Sequence, residues 1–162
     1  MLMSGHTTQV ILRATPSVAY DYLTRPALWH EWHHSSLGAE PHAAESLRMG
    51  DAFREQIKSL GIRKELHWHV LKSDIAKEWL AEATMADGSH VRVHYQFAPA
   101  GAKTLFTRTL RYTLKPWSLK LLNLTVGWLK LRRDTQRALQ KLQRHFEMAQ
   151  PSSVVTSASQ DH

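Results

Sequence analysis

From His90 the chain alternates almost without fault. Val91, Val93, Tyr95 and Phe97 are interleaved with His90, Arg92, His94 and Gln96. A period of two turns one face of a strand to a core and the other to water. The same signature recurs along the chain. HTTQVILR, residues 6–13, alternates and is rich in Thr, Val and Ile. Phe53, Glu55 and Ile57 share a face, as do Ile62, Lys64, Leu66, Trp68 and Val70, with Arg63, Glu65, His67 and His69 opposite. Trp79, Ala81, Ala83 and Met85 form a further row, and Phe106, Arg108, Leu110, Tyr112 and Leu114 the last. Asp87-Gly88 suits a tight hairpin between two of these runs, and PAGAK is a second turn. Consecutive strands joined by short turns predict an antiparallel sheet with one wet face.

Two stretches change period. After the first strand, Pro16 and Ser17 suit a helix start, and Val18, Ala19, Tyr22 and Leu23 fall at helical spacing. Pro26 ends that helix and opens a second short one carrying Leu28, Trp29 and Trp32. From Pro116 a long helical pattern begins. Leu121, Leu124, Trp128, Leu131, Thr135, Leu139, Leu142 and Phe146 recur at three- and four-residue steps. At about 1.5 Å per residue such a helix spans the width of a small sheet. No repeat is visible, and from Gln150 the pattern lapses. The expectation is one α+β domain over residues 1–149 and a disordered tail over 150–162. A half-buried sheet must cover its apolar face, and the last helix is the element long enough to do so. A curved sheet around one helix encloses space, a natural ligand cavity.

Composition narrows the chemistry. The 162 residues contain no Cys, which excludes disulfides, thiolate metal sites and a Cys nucleophile. No apolar run reaches the ~20 residues of a membrane span, and the first residues do not read as a signal peptide, so the cytoplasm is the expected compartment. The net charge of +7 is unevenly spread. Residues 1–114 carry 13 basic and 11 acidic side chains, whereas 115–148 carry 8 and 2. The excess sits on the last helix, on Lys120, Lys130, Arg132, Arg133, Arg137, Lys141 and Arg144, near Trp117 and Trp128. Such a face suits an anionic membrane surface; it is equally a solvated face or a protein contact. Nucleic acid fits less well, because the basic residues are not interleaved with exposed aromatics across a sheet.

The segment WHEWHH, Trp29 to His34, contains H-E-x-x-H, the spacing of a zinc protease. That chemistry needs a regular helix on both sides and a third ligand. Pro26 lies four residues before His30, and SSLG follows His34 directly. A surface helix accounts for more of the residues. Trp29 and Trp32 then face the core, while His30, Glu31, His33 and His34 face solvent. Neither a metal nor another cofactor is expected.

The order of motifs resembles the START-like, helix-grip superfamily (SRPBCC), the polyketide cyclase/dehydrase and lipid-transport type. VILRATPSVAYDYLTRPALWHEWH is similar to its first strand and two short helices, and RMGDAFRE to its entry into the third strand. LHWHVLKSD and TLFTRTLRY resemble later strands. The resemblance runs from about Gln9 to Glu147. It implies a curved antiparallel sheet of six to seven strands wrapped around a long C-terminal helix. It implies function less closely, since the fold hosts carriers, sensors and enzymes.

On that fold, Glu55, Arg108 and Lys64 fall on the apolar faces of their strands. A buried charge is expensive unless paired. Either Glu55 and Arg108 pair, or Arg108 holds an acidic head group or orients a carbonyl of a ligand, or the register is off by one and these side chains face out, or these positions lie at strand ends beyond the core. In the ligand case the pocket is lined by Phe53, Trp68, Trp79, Tyr95, Phe106, Tyr112 and Trp128, and Tyr95 and Tyr112 add hydroxyls. The expected function is binding, transport or sensing of a small hydrophobic or amphipathic ligand or lipid. An alternative is a cyclase/dehydrase-like enzyme with Glu55 (or Tyr112) as cavity acid/base, and another is an interaction module acting through the basic helix.

Overall fold

Alternation and hairpin turns give seven strands in one sheet. The computed structural model describes residues 2–42, 45–59, 61–114 and 126–149. β1 (Leu2–Leu12) leads into α1 (Pro16–Leu23), a single 3-10 turn (Pro26–Leu28) and α2 (Trp29–Trp32). Then follow β2 (Ser36–Glu40), β3 (Ala52–Ser59), β4 (Ile62–Asp74), β5 (Glu78–Thr84), β6 (His90–Ala100) and β7 (Lys103–Leu114). The last described helix is α3 (Val126–Met148). The sheet is antiparallel throughout, in the order β1-β7-β6-β5-β4-β3-β2. It curls into a half-barrel, and with the C-terminal helix it is the helix-grip α+β architecture.

The alternation expected from sequence sets the inner face. Phe53, Leu66, Trp68, Val70, Trp79, Ala81, Ala83, Val93, Tyr95, Phe97 and Phe106 are all buried. Register aligns inward side chains into rows: Thr8, Arg108, Tyr95 and Trp79 stand side by side across β1, β7, β6 and β5. β2 needs an irregularity to contribute. Its register slips between Ser36 and Gly38, so that Ser36 and Ala39, three apart, both turn inward. Gly38 sits at φ +145°, a conformation that disfavours any side chain.

The helices close the half-barrel. On α1 the buried face is Ala19, Tyr20 and Leu23, while Val18 stays exposed. On α3 the buried stripe is Thr135, Ala138, Leu139, Leu142 and Phe146. Burying Leu142 and Phe146 contributes about 1.5–3 kcal/mol each. Phe146 and His145 grip Tyr22 of α1, one edge-on at 5.5 Å and one stacked at 4.2 Å. Gln143 donates to the Ile11 carbonyl at 3.3 Å, tying α3 to β1. The expected start of this helix at Pro116, with Trp117, Lys120, Leu121 and Leu124, lies outside the described residues, as does the tail from Gln150.

Candidate functional site

Trp29 is the hub of the interior. Pro26 opens the 3-10 turn that leads into α2 and brings the indole inward, where Nε1 donates to the Leu23 carbonyl at 2.9 Å. Its ring meets Phe53, Trp68, Trp79 and Tyr95 edge-on, at centroid distances of 5.5, 5.7, 6.0 and 6.3 Å. Phe53 stacks on Trp68, Trp79 stacks on Tyr95, and Phe106 packs against Tyr95. Edge-to-face pairs of this kind add about 0.5–1.5 kcal/mol beyond area burial.

Set into this apolar layer is a polar cluster. Glu55 is 3% exposed and accepts a hydrogen bond from Trp68 Nε1 at 2.9 Å. Burial pushes its carboxyl up to about 7, against the opposing pull of the Ser36 hydroxyl, the Trp68 indole and the Arg108 charge. Arg108 is 6% exposed, and its Nη2 lies 3.3 Å from His33 Nε2. Burial, and then the Arg108 and His34 charges, draw His33 down to about 3, so it is neutral at physiological pH. Although His33 as a residue keeps some exposure, its Nδ1 is enclosed. Tyr95 lies beside Arg108, and burial raises its hydroxyl to about 12. From β1, His6 approaches the same guanidinium; burial first, then Arg108 and Arg132, lower its pKa, and its Nε2 is 3.4 Å from Thr135 Oγ1 on α3.

A sheet half-wrapped around a helix, with charges on its inner face, is a recognisable arrangement. The family described as polyketide cyclase / dehydrase and lipid transport matches residues 4–147. The chain belongs to this family. Comparison with curated proteins gives no match. Among solved structures the chain is similar to a START superfamily protein from Mycobacterium smegmatis, at 15% identity and a TM-score of 0.69, covering 90% of this chain and 99% of that one. It is also similar to the Zhui aromatase/cyclase from a Streptomyces species, at 14% identity and a TM-score of 0.67, covering 90% and 94%. Identities this low establish the shared fold and nothing finer.

Within this polyketide cyclase/dehydrase and lipid-transport fold, every residue singled out from sequence except Trp128 has a definite place. Phe53, Glu55, Trp68, Trp79, Tyr95, Phe106 and Arg108 are all buried on the inner face, and Tyr112 is half-buried on the same strand as Arg108. The side chain of Trp128 lies outside the described residues. Glu55 and Arg108 are not at strand ends, and no described ion pair joins them, although the Arg108 charge acts on the carboxyl. Lys64 is different. It sits toward the rim, partly exposed, 3.9 Å from Asp87.

The histidine motif is dismantled by the backbone. α2 ends at Trp32, and His33 is extended (φ −98°, ψ 104°), so His30 and His34 do not share a helical face. His30 Nδ1 is 2.8 Å from the Ala27 carbonyl, and Glu31 accepts from Tyr22 Oη at 2.7 Å. The expectation that His33 faces solvent is corrected: the extended conformation turns it inward to Arg108. No group of three or more His, Asp or Glu among the described residues could hold a metal ion. Sequence reasoning passed over His33, Ser36, His6 and Thr135. His6 and Thr135 occupy apolar-face positions of their elements, a signal that was readable; His33 and Ser36 depend on a helix end and a strand irregularity, which leave none.

Proposed function

We propose that the chain binds a small, largely apolar molecule on the inner face of the sheet, beneath the C-terminal helix, with the ligand's polar end at the Glu55–His33–Arg108 cluster. The observation carrying this reading is incomplete hydrogen bonding deep inside. Arg108 Nε and His33 Nδ1 are enclosed and lack partners among the described residues. Unsatisfied buried polar atoms are costly, so proteins rarely keep them without a use. Membership of a ligand-binding and cyclase family supports the same reading. Native mass spectrometry of protein gently extracted from cells tests it: a co-purifying apolar or amphipathic compound is expected, and consistently empty protein that also fails to enhance N-phenyl-1-naphthylamine fluorescence would defeat it.

A catalytic role is the second reading. Its specific support is a carboxyl held near 7 in an apolar interior, where it gives and takes protons readily at physiological pH. Glu55→Gln abolishing turnover of an identified substrate supports catalysis; unchanged turnover removes it. Where the ligand is a lipid, the exposed basic face of α3, Lys130, Arg132, Arg133, Arg137, Lys141 and Arg144, with the exposed apolar Leu129 beside it, supports loading at an anionic bilayer or docking on a protein partner. No described helix is long and apolar enough to cross a membrane. Sedimentation with phosphatidylserine vesicles but not with phosphatidylcholine vesicles is the expected result for bilayer loading; absence of binding to both removes it.

A further inference from the structure

The unpartnered atoms of the cluster share one property. Arg108 Nε always carries hydrogen. His33 is neutral, and its Nε2 faces an Arg108 nitrogen that can only donate, so Nε2 accepts and the ring proton sits on Nδ1, which is enclosed and without a partner among the described residues. Next to it, with ring centroids 5.7 Å apart, Trp32 is 2% exposed, and its Nε1–H is also enclosed and has no partner among the described residues. Three neighbouring buried groups are therefore all donors, and one of them bears a full positive charge.

Among the described residues no carboxylate answers them. Glu55, the carboxylate of this interior, accepts from Trp68 and lies beyond ion-pair distance of Arg108. The Tyr95 hydroxyl accepts a hydrogen bond from the Arg108 side chain, but it stays protonated and supplies no counter-charge. No described ion pair involves Arg108, whereas the half-buried Arg25 and the exposed Arg54 and Arg92 all have carboxylate partners. Water satisfies a donor but does not neutralise a buried cation, and a buried cation without a counter-charge is what folded proteins avoid.

Resting on the ligand-binding reading above, we infer that the ligand carries an acidic oxygen group, of the carboxylate class, which accepts from Arg108 Nε, His33 Nδ1 and Trp32 Nε1 while its apolar body lies against the aromatic layer. The site is then selective for an amphipathic acid over the same skeleton bearing an amide or alcohol. The guanidinium supplies charge, and the two ring N–H groups fix orientation.

The matched probes are 2-naphthoic acid and 2-naphthamide, similar in size and differing in charge. Both are titrated by calorimetry into the full-length protein at about pH 6.5, where a free carboxylic acid is ionised. N-phenyl-1-naphthylamine serves as a separate neutral probe of apolar binding. Naphthoate is expected to bind at least about tenfold tighter than the amide, the scale of one charge-assisted hydrogen bond. Arg108→Met should abolish that ratio and leave N-phenyl-1-naphthylamine binding in place, and Arg108→Lys should keep part of it. If the neutral probe binds but naphthoate and naphthamide bind equally to the wild-type protein, the acidic-ligand inference is overturned and the binding reading stands. If none of the three binds, both fall. The wild-type ratio decides the matter even where a variant does not fold.

Discussion

Replacing Glu55 by Gln exchanges an ionisable group for a neutral one of nearly the same shape, and an amide oxygen still accepts the Trp68 hydrogen bond. In the folded protein burial holds the carboxyl near 7, against an ordinary value of 4.5 in the unfolded chain. Below pH 4.5 the group is protonated in both states and nothing is lost. As the pH climbs from 4.5 through 7, the unfolded chain releases its proton first, so the unfolded state gains and stability falls. Above 7 the full difference applies. At ~1.4 kcal/mol per pH unit the interval amounts to about 3 kcal/mol. Glu55→Gln is therefore expected to match wild type near pH 4.5 and to exceed its stability by about 3 kcal/mol near pH 8. His33 has the opposite slope. Drawn down to about 3, it costs stability as the pH falls below 6.5, because only the unfolded chain then takes up the proton. That slope is present in both proteins and cancels in their difference. Urea unfolding followed by tryptophan fluorescence across this range measures it. A difference that is the same at both ends of the range would refute the claim that burial outweighs the partners of Glu55 and raises its carboxyl.

Trp29→Ala should cost about 3–5 kcal/mol in urea unfolding and flatten the near-ultraviolet circular dichroism, because the ring touches four other aromatics; a loss below 1 kcal/mol would show that the layer closes without it. Tyr22→Phe removes the hydrogen bond to the exposed Glu31 while keeping the stacking on His145, so a change of only about 1 kcal/mol is expected, against about 2–5 kcal/mol for Leu142→Ala. Untagged protein should hold no stoichiometric zinc by elemental analysis, and His30→Ala and His34→Ala should leave that unchanged; one zinc per chain lost in either variant would restore the metal reading.

Much of the fold was legible because its signal is periodic. Val91, Val93, Tyr95 and Phe97 announced a strand face that the structure repeats without a slip. The stripe Thr135, Leu139, Leu142 and Phe146 announced the buried side of the last helix. Glu55 and Arg108 were conspicuous as charges where the alternation demanded apolar side chains, and both are buried. His33 was misplaced for a reason as physical. Periodicity assumes that an element continues, and α2 stops one residue earlier. At the stop the side-chain direction changes, and a histidine assigned to water turns to the interior.

Spacing along the chain sets which faces are apolar and where the turns fall, and it marks Glu55, Arg108 and Lys64 as charges on those faces, because burial pattern is a local property of spacing. Which buried groups meet is settled by folding. Trp29 reaches four strands' worth of aromatic rings, Glu55 takes its hydrogen bond from Trp68, and Arg108 finds a neutral histidine rather than a carboxylate. Those contacts join residues up to 75 positions apart, and they follow from sheet curvature, a register slip and a helix end. Hydrogen-bond partnership and charge balance depend on distances that local spacing does not contain, so the donor-rich cluster beside the WHEWHH segment belongs to the fold rather than to the motif.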